Sequence, residues 1–312
     1  MLSLLVFAPA DIHANSLTAE ERESLLEKYE MIKDRLEYLR WYVQKFDLKE
    51  ELKAESYLVV DLEKDRELLE RNTSYPYAFA SITKLMSAVI AVEKLDLDKE
   101  IVLSGSMLGH NRISPALTLG TSVRAEDLMK ASLIQSTNDA SEALTHFLEE
   151  GEFVKLMNEK AENIGMKNTV FYDSHGLAGS KASQYEHPNE GTAKDIAKLL
   201  NYIDKNHPKI LKITRNKDFQ LPGDCSEHNW VCTFLNRNVF HDIENFVGGK
   251  TGYLGSISKQ AFAGIFEAKE KPFLVVFLYS SDRKEDTKRV YKWLEKKPSL
   301  KSSQEIIETE IN

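Results

Sequence analysis

Ala78-Phe79-Ala80-Ser81-Ile82-Thr83-Lys84-Leu85-Met86 is the stretch on which the reading of this chain turns. Apolar residues run from Ala80 to Leu95 with almost no charge after Lys84, which predicts a buried central helix. On a helix, Ser81 and Lys84 share one face about a turn apart. A serine hydroxyl becomes a useful nucleophile when a base takes its proton, and a lysine kept neutral by burial can be that base. The pattern alone is weak, since Ser-x-x-Lys recurs at Ser256/Lys259 and Ser281/Lys284.

The chain has 312 residues, 42% of them hydrophobic, enough for one large domain or two small ones with an ample core. A net charge of −8 argues against nucleic acid as a partner, because binding phosphate takes clustered Lys and Arg. No apolar run is as long as an ordinary membrane-spanning helix. Leu2-Ser3-Leu4-Leu5-Val6-Phe7-Ala8, followed by small residues at Ala8, Ala10 and Ala14, resembles the end of a secretory signal, although the positive n-region is missing and the apolar part is short. Residues 1–17 are read as an export segment. That places the protein outside the cytoplasm, in the cell envelope or periplasm, with the N-terminus as one route to membrane association. In such a setting Cys225 and Cys232, which flank the polar Ser226-Glu227-His228-Asn229, suit a disulfide across a hairpin; two free thiols are the other reading.

From Thr18-Ala19-Glu20-Glu21, a capping box, a helix is predicted to about residue 50. Leu26, Tyr29, Ile32, Leu36, Leu39, Val43 and Phe46 follow spacings of three and four, a heptad seam with charges on the other face. This helix (18–54) reads as a spacer, a self-associating segment, or a helix packed on the main domain. Strands are predicted at Tyr57–Leu62 and through Leu68-Leu69. Helices are expected at Ala125–Ser132, Asp139–Glu149, Glu152–Ile164 and Ala193–Asn206, with a loop over Val170–Leu177. Residues 210–222 read as β-rich. Gly248-Gly249-Lys250-Thr251-Gly252 marks a return to strands, Gln260–Phe266 and Pro272–Tyr279 form a hairpin, and Thr287–Lys296 closes the domain with Val290, Trp293 and Leu294 inward. The order is strands, helices, strands, helix. It predicts an α/β (α+β) domain over 55–297, one antiparallel sheet flanked by helices with an inserted helical subdomain, then a frayed tail over 298–312.

Three pieces then stand out: Ser81-x-x-Lys84 opening the buried helix, Ser136-Thr137-Asn138 just before the helix near Asp139, and Lys250-Thr251-Gly252 opening a strand. Acyl transfer needs a nucleophile, a base, an oxyanion hole and a substrate anchor. Ser81 supplies the nucleophile. Lys84 serves as base if burial and the field of Lys250 lower its pKa. Ser136 offers a hydroxyl to relay a proton, and Asn138 an amide to hold Lys84 and a substrate carbonyl. Lys250 and Thr251 suit a terminal carboxylate, and Gly252 leaves room for a substrate backbone. The backbone N–H groups of Ser81 and Tyr253 are the candidate oxyanion hole. Singly, each piece also reads as a cap, a surface cation or a turn; their joint occurrence in this order favours a site.

On these residues the chain resembles the serine-type D-Ala-D-Ala carboxypeptidases, low-molecular-mass penicillin-binding proteins. Tyr57–Asp61, Leu119-Gly120 through Asp127-Leu128, Phe171–Leu177 and Thr192-Ala193-Lys194-Asp195 carry the similarity beyond the three motifs, over roughly residues 56–296. The resemblance implies the β-lactamase/transpeptidase-like fold, action on the D-Ala-D-Ala end of a peptidoglycan stem peptide, covalent inhibition by β-lactams at Ser81, and no cofactor or metal. It places catalytic roles at Ser81, Lys84, Ser136, Asn138 and Lys250. Ile257-Ser258 stand where that family usually has Ala-Gly, and the helix over 18–50 is an addition.

Other classes fit less well. A class A β-lactamase needs a glutamate to activate water, and the matching region, Tyr172–Ala178, has only Asp173, better suited to a turn. A metallopeptidase would need a His-x-x-x-His or His-Glu-x-x-His pair, which is absent, as is Gly-x-Ser-x-Gly of other serine hydrolases. An endopeptidase acting on crosslinks would use the same residues, and a non-catalytic wall-binding relative would keep the fold.

Overall fold

The computed structural model describes residues 17–109, 117–177, 187–222, 232–238, 240, 241, 243 and 245–298. The chain divides into two units, Met1–Leu48 with Lys296–Asn312, and Lys49–Glu295.

The first unit is dominated by α1 (Ala19–Glu51), whose last turn belongs to the second. Its capping box is formed: Glu21 N donates to Thr18 Oγ1 at 3.2 Å and Thr18 N to the Glu21 carboxylate at 2.8 Å. The faces differ from the expectation. Leu26, Tyr29, Ile32, Leu36, Val43 and Phe46 are exposed, while Tyr38, Trp41 and Leu48 are the buried ones. Heptad spacing finds a coherent stripe. It does not say which of two apolar stripes is covered, and these three aromatic and aliphatic residues lie among the charges of the other face.

In the second unit the buried, unbroken apolar run Tyr57–Val60 makes β1 (Ser56–Asp61) a central strand, and β2 (Arg66–Arg71) pairs with it antiparallel. β3 (Tyr77–Ala78) leads into a 3-10 turn (Ala80–Ile82) and the buried helix α2 (Thr83–Lys94). Next come β4 (Glu100–Val102), β5 (Ser122–Arg124), α3 (Ala125–Ile134), α4 (Asn138–Thr145) and α5 (Glu152–Asn163). They are followed by β6 (Glu190–Gly191), α6 (Ala193–Asn206), α7 (Pro208–Arg215), β7 (Asp218–Gln220) and β8 (Thr233–Leu235). The chain returns as β9 (Phe246–Leu254), β10 (Lys259–Ala268), β11 (Lys271–Ser280) and α8 (Arg283–Glu295).

The main sheet runs β2-β1-β11-β10-β9, antiparallel throughout, so both ends of the unit's sequence meet in one sheet and the helical block lies between them, as expected. Side chains on β10 alternate. Ala261, Ala263 and Ile265 join the core that also contains α2, while Phe266 on the opposite face lies 5.6 Å from the Tyr291 ring of α8. The β10–β11 turn is Lys269-Glu270, both at positive φ (50° and 63°), the two-residue geometry that follows strand twist. Val290, Trp293 and Leu294 of α8 are buried as predicted.

Two expectations fail. Of residues 210–222, read as β-rich, only Asp218–Gln220 form a strand, and residues 208–215 are helical: Pro208 occupies the first helical position, where its missing N–H costs nothing, and Ile210, Leu211 and Thr214 make one buried face. β-branched composition suggests a strand where the buried periodicity is helical. Lys250-Thr251-Gly252 lies within β9 rather than at its start, because Gly248 and Gly249 continue the strand instead of breaking it. A Cβ at Gly248 would stand 2.4 Å from Leu211 O, and one at Gly249 2.3 Å from Ala263 O, so close packing explains both glycines.

Candidate active site

Ser81 sits in the 3-10 turn ahead of α2, on a backbone bent at Ala80, whose φ of 50° is unusual for a residue with a side chain. Two neighbours hold that bend. Thr83 Oγ1 donates to Ala80 O at 2.7 Å. Gly176, itself at φ +79°, lies so close that a Cβ there would stand 2.0 Å from the same carbonyl. Gly176→Ala is therefore expected to lower stability by more than about 2 kcal/mol and to slow acylation of Ser81 by displacing its turn. Calorimetry and labelling kinetics on the purified variant check this, and an unchanged melting temperature would refute it.

Lys84, one turn along, is wholly buried. Its Nζ lies 3.0 Å from Ser81 Oγ, 2.7 Å from Asn138 Oδ1 and 2.8 Å from His175 O. Burial pushes the amine down to about 7, against the opposing pull of the Asp173 carboxylate. A neutral amine has two N–H groups and one lone pair. Asn138 Oδ1 and His175 O take the N–H groups, leaving the lone pair for the Ser81 hydroxyl proton.

Asn138 opens α4, and Ser136, two residues before it, is at φ 63°. Ser136 Oγ accepts from Lys250 Nζ at 2.9 Å. Lys250 also donates to Thr251 O at 3.1 Å and is 2% exposed. Burial is the largest influence holding it well below its ordinary range, followed by Lys84, Arg283 and Arg237. The sequence suggests that Lys250 helps to lower Lys84. Burial dominates at Lys84 instead, and the repulsion is expressed at Lys250, which is flanked by three other cations.

Ser81, Ser136, Asn138, Thr251, Gly252 and Tyr253 line one cavity of about 540 Å³. A Cβ at Gly252 would stand 2.5 Å from Phe79 O and 3.3 Å from Ala80 Cβ, so the glycine lets β9 approach the turn that carries Ser81. Arg237 and Arg283 also line the cavity, and Arg283 Nη1 donates to Gly252 O at 2.9 Å. Sequence reasoning missed both arginines: neither stands at a motif spacing, and folding alone carries them there. The decoy Lys259 is ion-paired with Glu55 at 2.6 Å, and Ser281 lies between β11 and α8. Cys225 falls outside the described residues, whereas Cys232 is buried at 6% exposure and is not a free thiol. Among the described residues no cluster of His, Cys, Asp and Glu suits a metal ion.

The D-alanyl-D-alanine carboxypeptidase peptidase family matches residues 43–278. A Bacillus subtilis D-alanyl-D-alanine carboxypeptidase, DacF, is 29% identical over 78% of this chain and 61% of its own length. An Escherichia coli D-alanyl-D-alanine endopeptidase is 28% identical over 65% of this chain and 64% of its length. The chain thus spans somewhat under two thirds of these relatives. Among solved structures, a Mycobacterium tuberculosis D-alanyl-D-alanine carboxypeptidase superposes with a TM-score of 0.68 at 23% identity, covering 77% of this chain and 90% of the other. A Listeria monocytogenes penicillin-binding protein, solved in its ampicillin-bound form, gives a TM-score of 0.65 at 25% identity, covering 79% and 97%. Matched over more than half its length, on a fold shared with these solved structures, the chain belongs to the D-alanyl-D-alanine carboxypeptidase family of serine peptidases.

Proposed function

We propose that this chain removes the terminal D-Ala from peptidoglycan stem peptides through an acyl-enzyme on Ser81, acting outside the cytoplasm, and that β-lactams acylate the same oxygen. The observation that carries this reading is a buried amine, Lys84, held near pKa 7 and 3.0 Å from the Ser81 hydroxyl. Lys84 Nζ takes the Ser81 proton as Oγ bonds to the penultimate D-Ala carbonyl carbon, whose π electrons move onto oxygen at the Ser81 and Tyr253 N–H groups. When that intermediate collapses, the C–N bond breaks, and the proton that Lys84 took passes by way of Ser136 to the D-Ala nitrogen, which restores the neutral base. Lys250, Thr251 and the two arginines bind the terminal carboxylate. Water then hydrolyses the ester. The ampicillin-bound relative and the family match support this reading. The test is incubation of the protein with a fluorescent penicillin and, separately, with an N-acylated peptide ending in D-Ala-D-Ala. A stoichiometric adduct mapped to Ser81 and release of D-Ala are expected; a folded protein giving neither would refute the proposal. A crosslinked muropeptide in the same assay reports endopeptidase action, the activity named for the Escherichia coli relative.

We further propose that the exposed stripe of α1 packs on a second copy of the chain. Six large apolar residues of the heptad stripe, Leu26, Tyr29, Ile32, Leu36, Val43 and Phe46, are exposed on one helix, an arrangement that a helix partner would cover. Light scattering should show a dimer that becomes a monomer when residues 18–48 are removed; a full-length monomer would end this idea. No helix among the described residues is long and apolar enough to cross a membrane.

A further inference from the structure

One buried acid that acts electrostatically on Lys84, Asp173, has no part in the mechanism above. Asp173 is 1% exposed and belongs to the loop between α5 and β6. Its Oδ1 accepts from His175 N at 2.9 Å, from Gly176 N, and from Asn189 Nδ2 at 3.1 Å. These bonds fix the peptide whose carbonyl, His175 O, receives Lys84 Nζ at 2.8 Å. Asn189 Nδ2 also reaches Thr83 Oγ1 at 2.9 Å, tying the loop to the first turn of α2.

The turn itself needs only one acceptor atom, which Asn or Ser would supply as well. Yet Asp173 Oδ2 is buried and accepts no hydrogen bond among the described residues. A buried carboxylate with an idle oxygen is costly, and an amide would avoid the charge altogether. The charge therefore calls for another reason, and a buried amine that must become an ammonium during the reaction supplies one.

We infer that Asp173 is a positioning residue and the counter-charge of the base: its loop bonds aim the His175 carbonyl at Lys84, and its carboxylate stabilises the ammonium formed when Lys84 takes the Ser81 proton. The inference rests on the proposed acyl transfer at Ser81. Ser81, Lys84 and Asp173 then act in series, the acid touching neither substrate nor serine. The other groups facing this trio are Lys250 from β9, which repels the ammonium, Glu142 from α4, and His175. His175 Nδ1 accepts from Leu177 N at 3.1 Å and lies 3.5 Å from Asp173 Oδ1, and its Nε2 lies 3.9 Å from Glu142. The pull of Asp173 on the amine, opposite in sign to burial, agrees with its role as counter-charge.

The test measures the second-order rate of acylation by a chromogenic cephalosporin from pH 5 to 9 for the full chain and for Asp173→Asn and Asp173→Ser, both of which keep a turn-forming acceptor. Removing the charge makes Lys84 harder to protonate, so the acid limb is expected to move down by about one pH unit, while the plateau rate falls by about three- to tenfold. A purely structural role would lower the rate and leave the limb where it was. An unmoved limb in either folded variant, or one moved upward, overturns the inference. Failure of the wild type to acylate at all would instead overturn the proposed function. Asp173→Glu, which keeps the charge on a longer arm, is expected to restore the position of the limb without restoring the full rate.

Discussion

Ser81→Ala is expected to abolish β-lactam labelling and to lower D-Ala release by about 10⁴-fold or more, because the members of such a catalytic group act as a unit. The fold should barely respond. Ser81 is only partly buried, and the substitution removes one hydrogen bond of Lys84 while those to Asn138 Oδ1 and His175 O remain. The melting temperature should therefore stay within the range of an ordinary surface substitution, about 0.5 kcal/mol in stability. Labelling followed by peptide mass mapping checks the chemistry, and calorimetry checks the fold. An adduct that persists on Ser256 or Ser281 would show that a decoy motif carries the reaction. The pairing of Lys259 with Glu55 makes that outcome contrary to expectation.

Lys84→Met is expected to lower acylation by about 10²- to 10⁴-fold while changing how stability depends on pH. In the folded wild type the amine titrates at about 7, whereas in the unfolded chain it titrates near its ordinary 10.5. A folded pKa below the unfolded one means that the unfolded chain binds the extra proton between those values. The burden on folding is thus full below pH 7 and relaxes as the pH rises toward 10.5. Each pH unit in that window is worth about 1.4 kcal/mol, so between pH 7 and 9 the wild type should gain about 2–3 kcal/mol relative to Lys84→Met. Paired urea titrations at the two pH values measure this double difference. A constant difference would mean that Lys84 is charged in the fold at pH 7 and cannot be the base as drawn. The acylation rate gives an independent check: in the wild type it should fall about tenfold per unit below pH 7, as the amine protonates.

Much of this protein is legible along the chain because the relevant physics is local. The capping box at Thr18 and Glu21, the unbroken apolar run of β1, the nearly charge-free helix after Lys84 and the alternation of β10 and β11 all express their burial as a short-range period. Residues 208–215 mislead for the same reason, since Ile210, Ile213 and Thr214 give a strand-like composition to a helical period. The face of α1 that is covered cannot be read at all, because two apolar stripes share that helix and spacing alone does not rank them.

By itself the sequence determined which residue types the proposed chemistry draws on: a serine and a lysine one turn apart, a Ser-x-Asn and a Lys-Thr-Gly, in an order that fits one sheet and an inserted helical block. Only the tertiary structure decided what those residues are to one another. It placed Lys84 against Asn138 and His175, turned Ser136 toward Lys250 rather than toward Lys84, and brought Arg237 and Arg283 into the cavity. It also tied Asp173 to the peptide whose carbonyl receives Lys84. The reason is physical. Hydrophobic period and capping are written in neighbouring residues, but a lysine's pKa depends on how completely water is excluded around it and on charges far away along the chain, and those are properties of the closed fold.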